Sequence, residues 1–143
     1  MPPWNMSRVM RRAAILPIVV LIAAAAQCST GVPEGLIGEW GGEHAGLIAT
    51  AERATLEYDC ASGTMDVPVR TDGDGRFEAR GEHTRGHGGP VRDDEVPDRH
   101  PALYVGRIRG DVMTLTVTMT DLKETVGTFL LVRGAPPRVF KCL

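Results

Sequence analysis

Three histidines stand close together near the middle of the chain, and imidazole both binds metal ions and transfers protons near neutral pH. His83 and His87 are four residues apart, and acidic residues precede His100. On a helix, a spacing of four would place two imidazoles on the same face. The glycines and the proline at 86–90 disfavour a helix, so nothing in the local sequence orients the rings. The pattern therefore predicts surface histidines in a polar loop and no metal site.

The other reactive residue types do not form a pattern typical of an enzyme. There is no Gly-x-Ser-x-Gly motif, and after residue 28 serine occurs only at Ser29 and Ser62. The run Asp-Gly-Asp-Gly at 72–75 lacks the later ligands of a calcium loop, so a turn explains it. Asp93 and Asp94 are adjacent, with no sign of the burial that separates acid from base roles. We expect no enzyme and no cofactor; metal-assisted catalysis through the three histidines is the alternative.

His83 and His100 flank a segment, Thr84 to Asp98, that contains His87 and interrupts the regular pattern of the chain. It contains glycines, a proline and an acidic run. Loops longer than about 12 residues in compact domains are usually functional or disordered. The candidate binding residues are therefore the polar side chains in and beside this segment: His83, Arg85, His87, Arg92, Asp93 and Asp94.

The elements that must position these residues show the period of two that is typical of antiparallel strands. In Met113–Met119 every second residue is threonine and the others are apolar. Thr55–Cys60 alternates as clearly, and Leu56, Tyr58 and Cys60 are predicted to point inward, before a turn at 61–63. Strands are predicted at 44–50, 55–60, 65–69, 77–81, 102–108, 112–119, 125–133 and 137–142.

About eight short sequential strands predict an all-β fold, either a small up-and-down barrel or a two-sheet sandwich. No helical period is convincing after residue 27. Closure into a barrel would remove exposed strand edges, which matters because these strands carry little edge protection.

The first 27 residues have the parts of a secretory signal peptide. They contain three arginines but no acidic residue, and the apolar run 13–26 is 14 residues long. Crossing the hydrocarbon core of a membrane takes about 20 residues, which favours cleavage over a retained anchor. We expect a signal-peptide helix at 1–27, a tether at 28–36 and the β-domain at 37–143.

The residues around Cys28 resemble a bacterial lipoprotein signal, in which the cysteine receives lipid and becomes the first residue. The run Ala-Ala-Ala-Ala-Gln-Cys-Ser at 23–29 carries the resemblance. It implies a periplasmic or outer membrane lipoprotein, held to the membrane by its N-terminal lipid. The alternative is cleavage after Ala26 by ordinary signal peptidase, which would give a secreted soluble protein.

Cysteine counting favours the lipid. The chain has three cysteines, an odd number that leaves one thiol to be explained in an oxidising compartment. If Cys28 carries lipid, Cys60 and Cys142 form a disulfide and no thiol is left over. In the chain-entropy model a link closing so long a loop stabilises the fold by about 4 kcal/mol.

The charge of the mature chain excludes some partners. Without the three arginines of residues 1–27, 13 Lys and Arg face 18 Asp and Glu, a net charge of −5. There is no cluster of basic residues, so nucleic acid is not an expected partner. We expect a monomer that contacts an envelope protein or a small ligand.

Three resemblances extend this picture. Residues 36–40 (Leu-Ile-Gly-Glu-Trp) are expected to open the first strand and look like the Gly-x-Trp start of lipocalin-like barrels, which implies that Trp40 plugs one end of the barrel. Blocks at 40–44, 56–60, 75–77, 88–92 and 139–143 are similar to bacterial envelope proteins of unknown function. The run 58–63 (Tyr-Asp-Cys-Ala-Ser-Gly) resembles the Tyr-x-Cys-x-x-Gly hairpin of C-type lysozyme inhibitors, which are small barrels and often lipid-anchored.

These observations lead to one expectation and two alternatives. We expect a non-catalytic binding module that presents the 84–98 loop or the barrel mouth to a partner. An inhibitor of lysozyme or of another hydrolase is the first alternative, and the metal-assisted enzyme is the second.

Overall fold

The computed structural model describes residues 35–90 and 92–142. They form a closed barrel of eight antiparallel strands in sequential order, so the barrel and not the sandwich is the architecture. The first and last strands pair through Trp40 with Arg133 and Gly41 with Val132, which closes the sheet. The expected signal peptide, Cys28 and most of the tether lie outside the described residues.

The eight strands are β1 Gly38–Gly42, β2 Ala45–Ala49, β3 Ala54–Tyr58, β4 Ala61–Met65, β5 Arg76–Arg85, β6 Asp98–Arg109, β7 Val112–Met119 and β8 Glu124–Arg133. In the described part of the chain no helix is long and apolar enough to cross a membrane.

The predicted alternation decides which face of each strand is buried. In β7, Met113, Leu115 and Val117 are fully buried, while the intervening threonines face outward. The same rule holds in β3, where Leu56 and Tyr58 are buried. Successive side chains of a strand point to opposite faces, so one apolar residue in two is enough to line the interior.

The structure corrects four of these predictions. Cys60 is exposed and has a φ of 58° in the β3–β4 turn, so it does not point inward. The predicted turn at 61–63 belongs to β4, and most of the predicted strand 65–69 lies in the loop after it. The strand that residues 36–40 were expected to open is present as β1, whereas 137–142 is not a strand.

Segment 134–142, which we call the C-terminal strap, crosses the outside of the barrel. Pro136 and Pro137 have no N–H to donate to a ladder, so the strap makes only an isolated parallel bridge, between Glu43 and Arg138. Its far end is held by a disulfide between Cys60 and Cys142. The predicted pairing is therefore present in the structure.

The barrel interior is filled with side chains. Trp40 and Tyr104 are the largest of the fully buried residues. The ring of Phe77 covers Gly106, its direct cross-strand partner, where a Cβ atom would collide with the ring. The interior of an eight-stranded barrel is just wide enough for its own side chains. A glycine opposite an aromatic residue therefore leaves the space that the ring occupies.

The two ends of the barrel differ. The tether end carries the start of β1 and the loops 50–53, 66–75 and 110–111. The opposite end, which we call the histidine end, carries the turns 43–44, 59–60 and 120–123 and the long loop 86–97.

Candidate functional site: the histidine end

All four histidines of the chain lie at the same end of the barrel. His44 is in the β1–β2 turn and His87 is in the long loop. His83 lies near the end of β5, and His100 lies near the start of β6. Antiparallel pairing brings these positions together because each is next to a connection on the same rim.

Three of the imidazoles contact carboxylates. His44 Nδ1 pairs with Asp59, and His87 Nε2 pairs with Glu95. His100 lies between two acids: Nδ1 is 2.7 Å from Asp121 Oδ2, and Nε2 is 3.0 Å from Asp98 Oδ1. The His44–Asp59 pair joins the β1–β2 and β3–β4 turns, the His87–Glu95 pair joins the two sides of the long loop, and Asp121 links the β7–β8 turn to His100 on β6.

The surroundings of two rim histidines favour their charged form. The hydrogen bond to Asp121 raises the pKa of His100. The carbonyl of Gly88 and then Glu95 raise the pKa of His87. The partner acid responds in the opposite direction, because the contact with His100 lowers the pKa of Asp121.

His83 has a different environment from the other three. Its side chain belongs to β5 and not to the loop, and only 2% of the residue is exposed. Its ring centroid is 5.6 Å from that of Tyr58, inside the barrel. Burial, followed by the charge of Arg85, lowers the pKa of His83. The prediction that His83 is a loop residue is wrong, because β5 extends to Arg85 before the chain turns.

Two buried tyrosines complete the inner layer of this end. Tyr104 Oη donates to the carbonyl of Glu82 over 2.7 Å, and burial raises the pKa of Tyr104 to about 12. Burial also raises the pKa of Tyr58. Both hydroxyls face Gly63, whose missing side chain leaves room for them. Among the described residues, three buried side-chain atoms have no hydrogen-bond partner of good geometry: Tyr58 Oη, His83 Nδ1 and His100 Nε2.

The remaining predicted binding residues lie on the outer part of the same end. Arg85 donates to Glu124 over 2.9 Å. A turn of the long loop exposes three of them: Arg92, Asp93 and Asp94. The Glu95 N–H closes this turn by donating to the Arg92 carbonyl over 3.1 Å. The structure therefore places five of the six candidates on the outer surface and His83 beneath them.

Asp59 is a residue of this end that the loop prediction missed. It pairs with His44 and accepts a hydrogen bond of 2.7 Å from the Phe140 N–H. The Phe140 N–H is the main cause of the lowered pKa of Asp59. One carboxylate thus joins the β1–β2 turn, the disulfide-bearing turn and the strap. Both partners stand in the sequence blocks 40–44 and 56–60, which is a signal that could have found them.

The described residues contain no group of three or more His, Cys, Asp and Glu arranged to hold a metal ion. His83 and His100 are direct cross-strand neighbours, whereas His87 turns towards Glu95. The three histidines of the metal hypothesis therefore do not converge.

Trp40 lies near the tether end. It is 1% exposed, and its Nε1 donates to the Leu36 carbonyl over 2.8 Å. The Arg133 guanidinium is 4.1 Å from the centroid of the Trp40 ring system and donates to the carbonyls of Ile37 and Gly35. Residues 35–37 are thus held against the indole.

The chain matches no protein-family model, no curated protein and no solved structure.

Proposed function

We propose that this domain is a non-catalytic binding module of the bacterial cell envelope and that the histidine end is its contact surface. The observation that carries the proposal is that all four histidines and the long charged loop lie at one end of the barrel. Loops positioned by a rigid scaffold are the usual place for recognition.

The packed interior supports contact at the rim over an enclosed ligand. Tyr104, Leu115 and Val117 are fully buried against their neighbours in the middle of the barrel. Lipocalin-like barrels that carry a ligand need an open interior. A partner that recognises the loops needs no such space.

The chemistry of the rim supports binding over catalysis. His44 with Asp59 and His100 with Asp121 each provide a base and an orienting carboxylate. Nucleophilic catalysis also needs an activated hydroxyl or thiol next to the base. Within the described residues, no serine, threonine or cysteine side chain forms a hydrogen bond with these imidazoles.

The position of the tether supports the choice of end. The described chain begins at Gly35, which lies beside the tether end of the barrel. A lipid on Cys28, as the signal resemblance implies, would hold this end towards the membrane. The histidine end would then face away from the membrane, where an envelope partner has access.

Site-specific photo-crosslinking in cells tests the proposal. A photoreactive residue at Arg92, in the long loop, is compared with the same residue at Glu78, on the outer side of β5. We expect a discrete adduct from position 92 that is at least tenfold more abundant than any adduct from position 78. Equal adducts from both positions, or none from 92, would refute the histidine end as the contact surface.

Inhibition of a C-type lysozyme is the second candidate. The hairpin that resembles those inhibitors is β3–β4, and the Cys60–Cys142 disulfide fixes its turn at the histidine end. Purified domain at micromolar excess should then reduce the hydrolysis of cell walls by lysozyme. Unaltered lysozyme activity would eliminate this function.

A further inference from the structure

A groove of about 440 Å³ lies on the outer face of β1–β3, beside the C-terminal strap. Gly46 and Ile48 form its floor, and Pro136 and Pro137 form one wall. The cross-strand pairing of Ile48 with Thr55 continues the floor onto β3. The volume lies in the range of binding pockets for small ligands and peptide side chains.

Two glycines allow the strap to form that wall. A Cβ atom on Gly41 would collide with the carbonyl oxygen of Ala135, and one on Gly46 would lie 2.7 Å from Pro137 Cβ. These glycines face outward and are paired with each other in the β1–β2 ladder. Any larger residue would lift the strap from the barrel, so the groove is a built feature of the fold.

The groove combines an apolar floor with negative charge. Ile48 is 55% exposed, although isoleucine is among the residues that are most often buried. Glu39 and Glu57 are both exposed and line the groove, and no described lining residue is a lysine, arginine or histidine. Neither carboxylate has an ion-pair partner among the described residues. By contrast, each of three other glutamates pairs with an arginine: Glu43, Glu82 and Glu124.

We propose that this groove binds an extended peptide segment of a partner protein through a lysine or arginine side chain. The aliphatic stem of such a side chain lies against Ile48 and Pro137, while its cationic head meets Glu57 and Glu39. Long basic side chains bury their stems on apolar surface and keep the charge at a polar rim, which is the pattern that this groove offers. Charge complementarity also selects against acidic partners.

The charge of the chain itself argues for a different protein as the occupant. Residues 28–143 carry a net charge of −5, so a second copy would bring more negative charge to the groove. The groove is separate from the histidine end, and the inference does not depend on the proposed function.

A titration followed by ¹H–¹⁵N and methyl NMR tests the inference with the full mature domain. The probe is the capped peptide Gly-Leu-Arg-Leu-Gly, and its control has citrulline in place of arginine. We expect saturable shifts at Ile48 and Thr55 with the arginine peptide, and at least tenfold weaker binding of the citrulline peptide.

Matched variants separate the groove from general electrostatics. Glu39→Gln with Glu57→Gln should weaken binding of the arginine peptide about tenfold and leave the folded spectrum intact. Glu52→Gln with Glu78→Gln removes the same charge from exposed positions outside the groove and should change the affinity less than twofold.

Each of the following results would overturn the inference. The first is a lack of selectivity: either equal affinity for the arginine and citrulline peptides or equal weakening by the two double variants. The second is saturation of the same resonances by spermidine as tightly as by the peptide, which would make the groove a small-amine site. The third is a concentration-dependent shift of Ile48 without peptide, which would identify a second copy of the chain as the occupant.

Discussion

His83 and His100 are direct cross-strand partners on β5 and β6, yet their environments shift their pKa values in opposite directions. His83 is enclosed by the barrel near Tyr58, where burial penalises the charged imidazole. His100 is closer to the rim, where Asp121 and Asp98 favour the charged imidazole. Two neighbouring residues of one type thus prefer different protonation states.

The pair predicts opposite contributions to the pH dependence of stability. The folded-state pKa of His83 is lower than its value in the unfolded chain, so the unfolded state takes up the proton first as the pH falls. His83 therefore reduces stability below about pH 6.5. His100 has a raised folded-state pKa, so its stabilising contribution is complete below about pH 6.5 and is lost as the pH rises through the folded value.

Urea unfolding between pH 5 and pH 8 measures both effects. His83→Leu should make the loss of stability on acidification smaller than in the wild type. His100→Asn should remove stabilisation mainly at the acidic end, so its destabilisation should shrink as the pH rises. Slopes that change in the same direction for both variants would contradict the assigned environments. The double variant is needed as well, because adjacent residues are not expected to be additive.

The Cys60–Cys142 disulfide should be a major source of stability. It closes a span of 82 residues and holds the end of the strap at the β3–β4 turn. Cys60→Ser with Cys142→Ser should lower the free energy of unfolding by about 2–5 kcal/mol, measured in urea without reductant. Cys28→Ser is the matched control and should leave the stability of the soluble domain unchanged. An unchanged midpoint in the Cys60/Cys142 variant would show that the strap contributes little.

Because the Phe77 ring packs directly on Gly106, a side chain at position 106 should overpack the barrel interior. Gly106→Ala would place a methyl group against the Phe77 ring, and we expect a destabilisation of about 1–3 kcal/mol. Phe77→Leu provides space and should recover part of that loss in the double variant, a coupling that a double-mutant cycle detects. Gly73→Ala is a useful control because open space surrounds that position. Strict additivity of the Gly106 and Phe77 changes would contradict the contact.

Membrane attachment through Cys28 is tested by fractionation of cells that produce the full chain. We expect wild-type protein in the membrane fraction and Cys28→Ser protein in the soluble envelope fraction, with loss of the lipid-sized increase in mass. Arg92→Ala, which alters the proposed contact loop, is the control and should remain with the membrane. If Cys28→Ser protein stays in the membrane fraction, the lipid anchor is wrong.

Period-two alternation by itself was enough to predict the fold class, most strands and the inward faces, as in Met113–Met119. That information is local, because successive side chains of a strand point to opposite faces of the sheet and only the position within the strand decides the direction. The odd number of cysteines, together with the lipoprotein-like residues around Cys28, predicted the Cys60–Cys142 pair that the structure contains. The strand predicted at 137–142 failed because barrel closure between β1 and β8 left the strap no ladder to join.

Only the tertiary structure decided what lies next to each reactive side chain. His44 meets Asp59 and His100 meets Asp121 because strand register and closure bring separate turns to one rim. The groove beside the strap likewise depends on where Pro137 crosses Gly46. Long-range register is set by packing of the whole barrel, and no short stretch of sequence contains it.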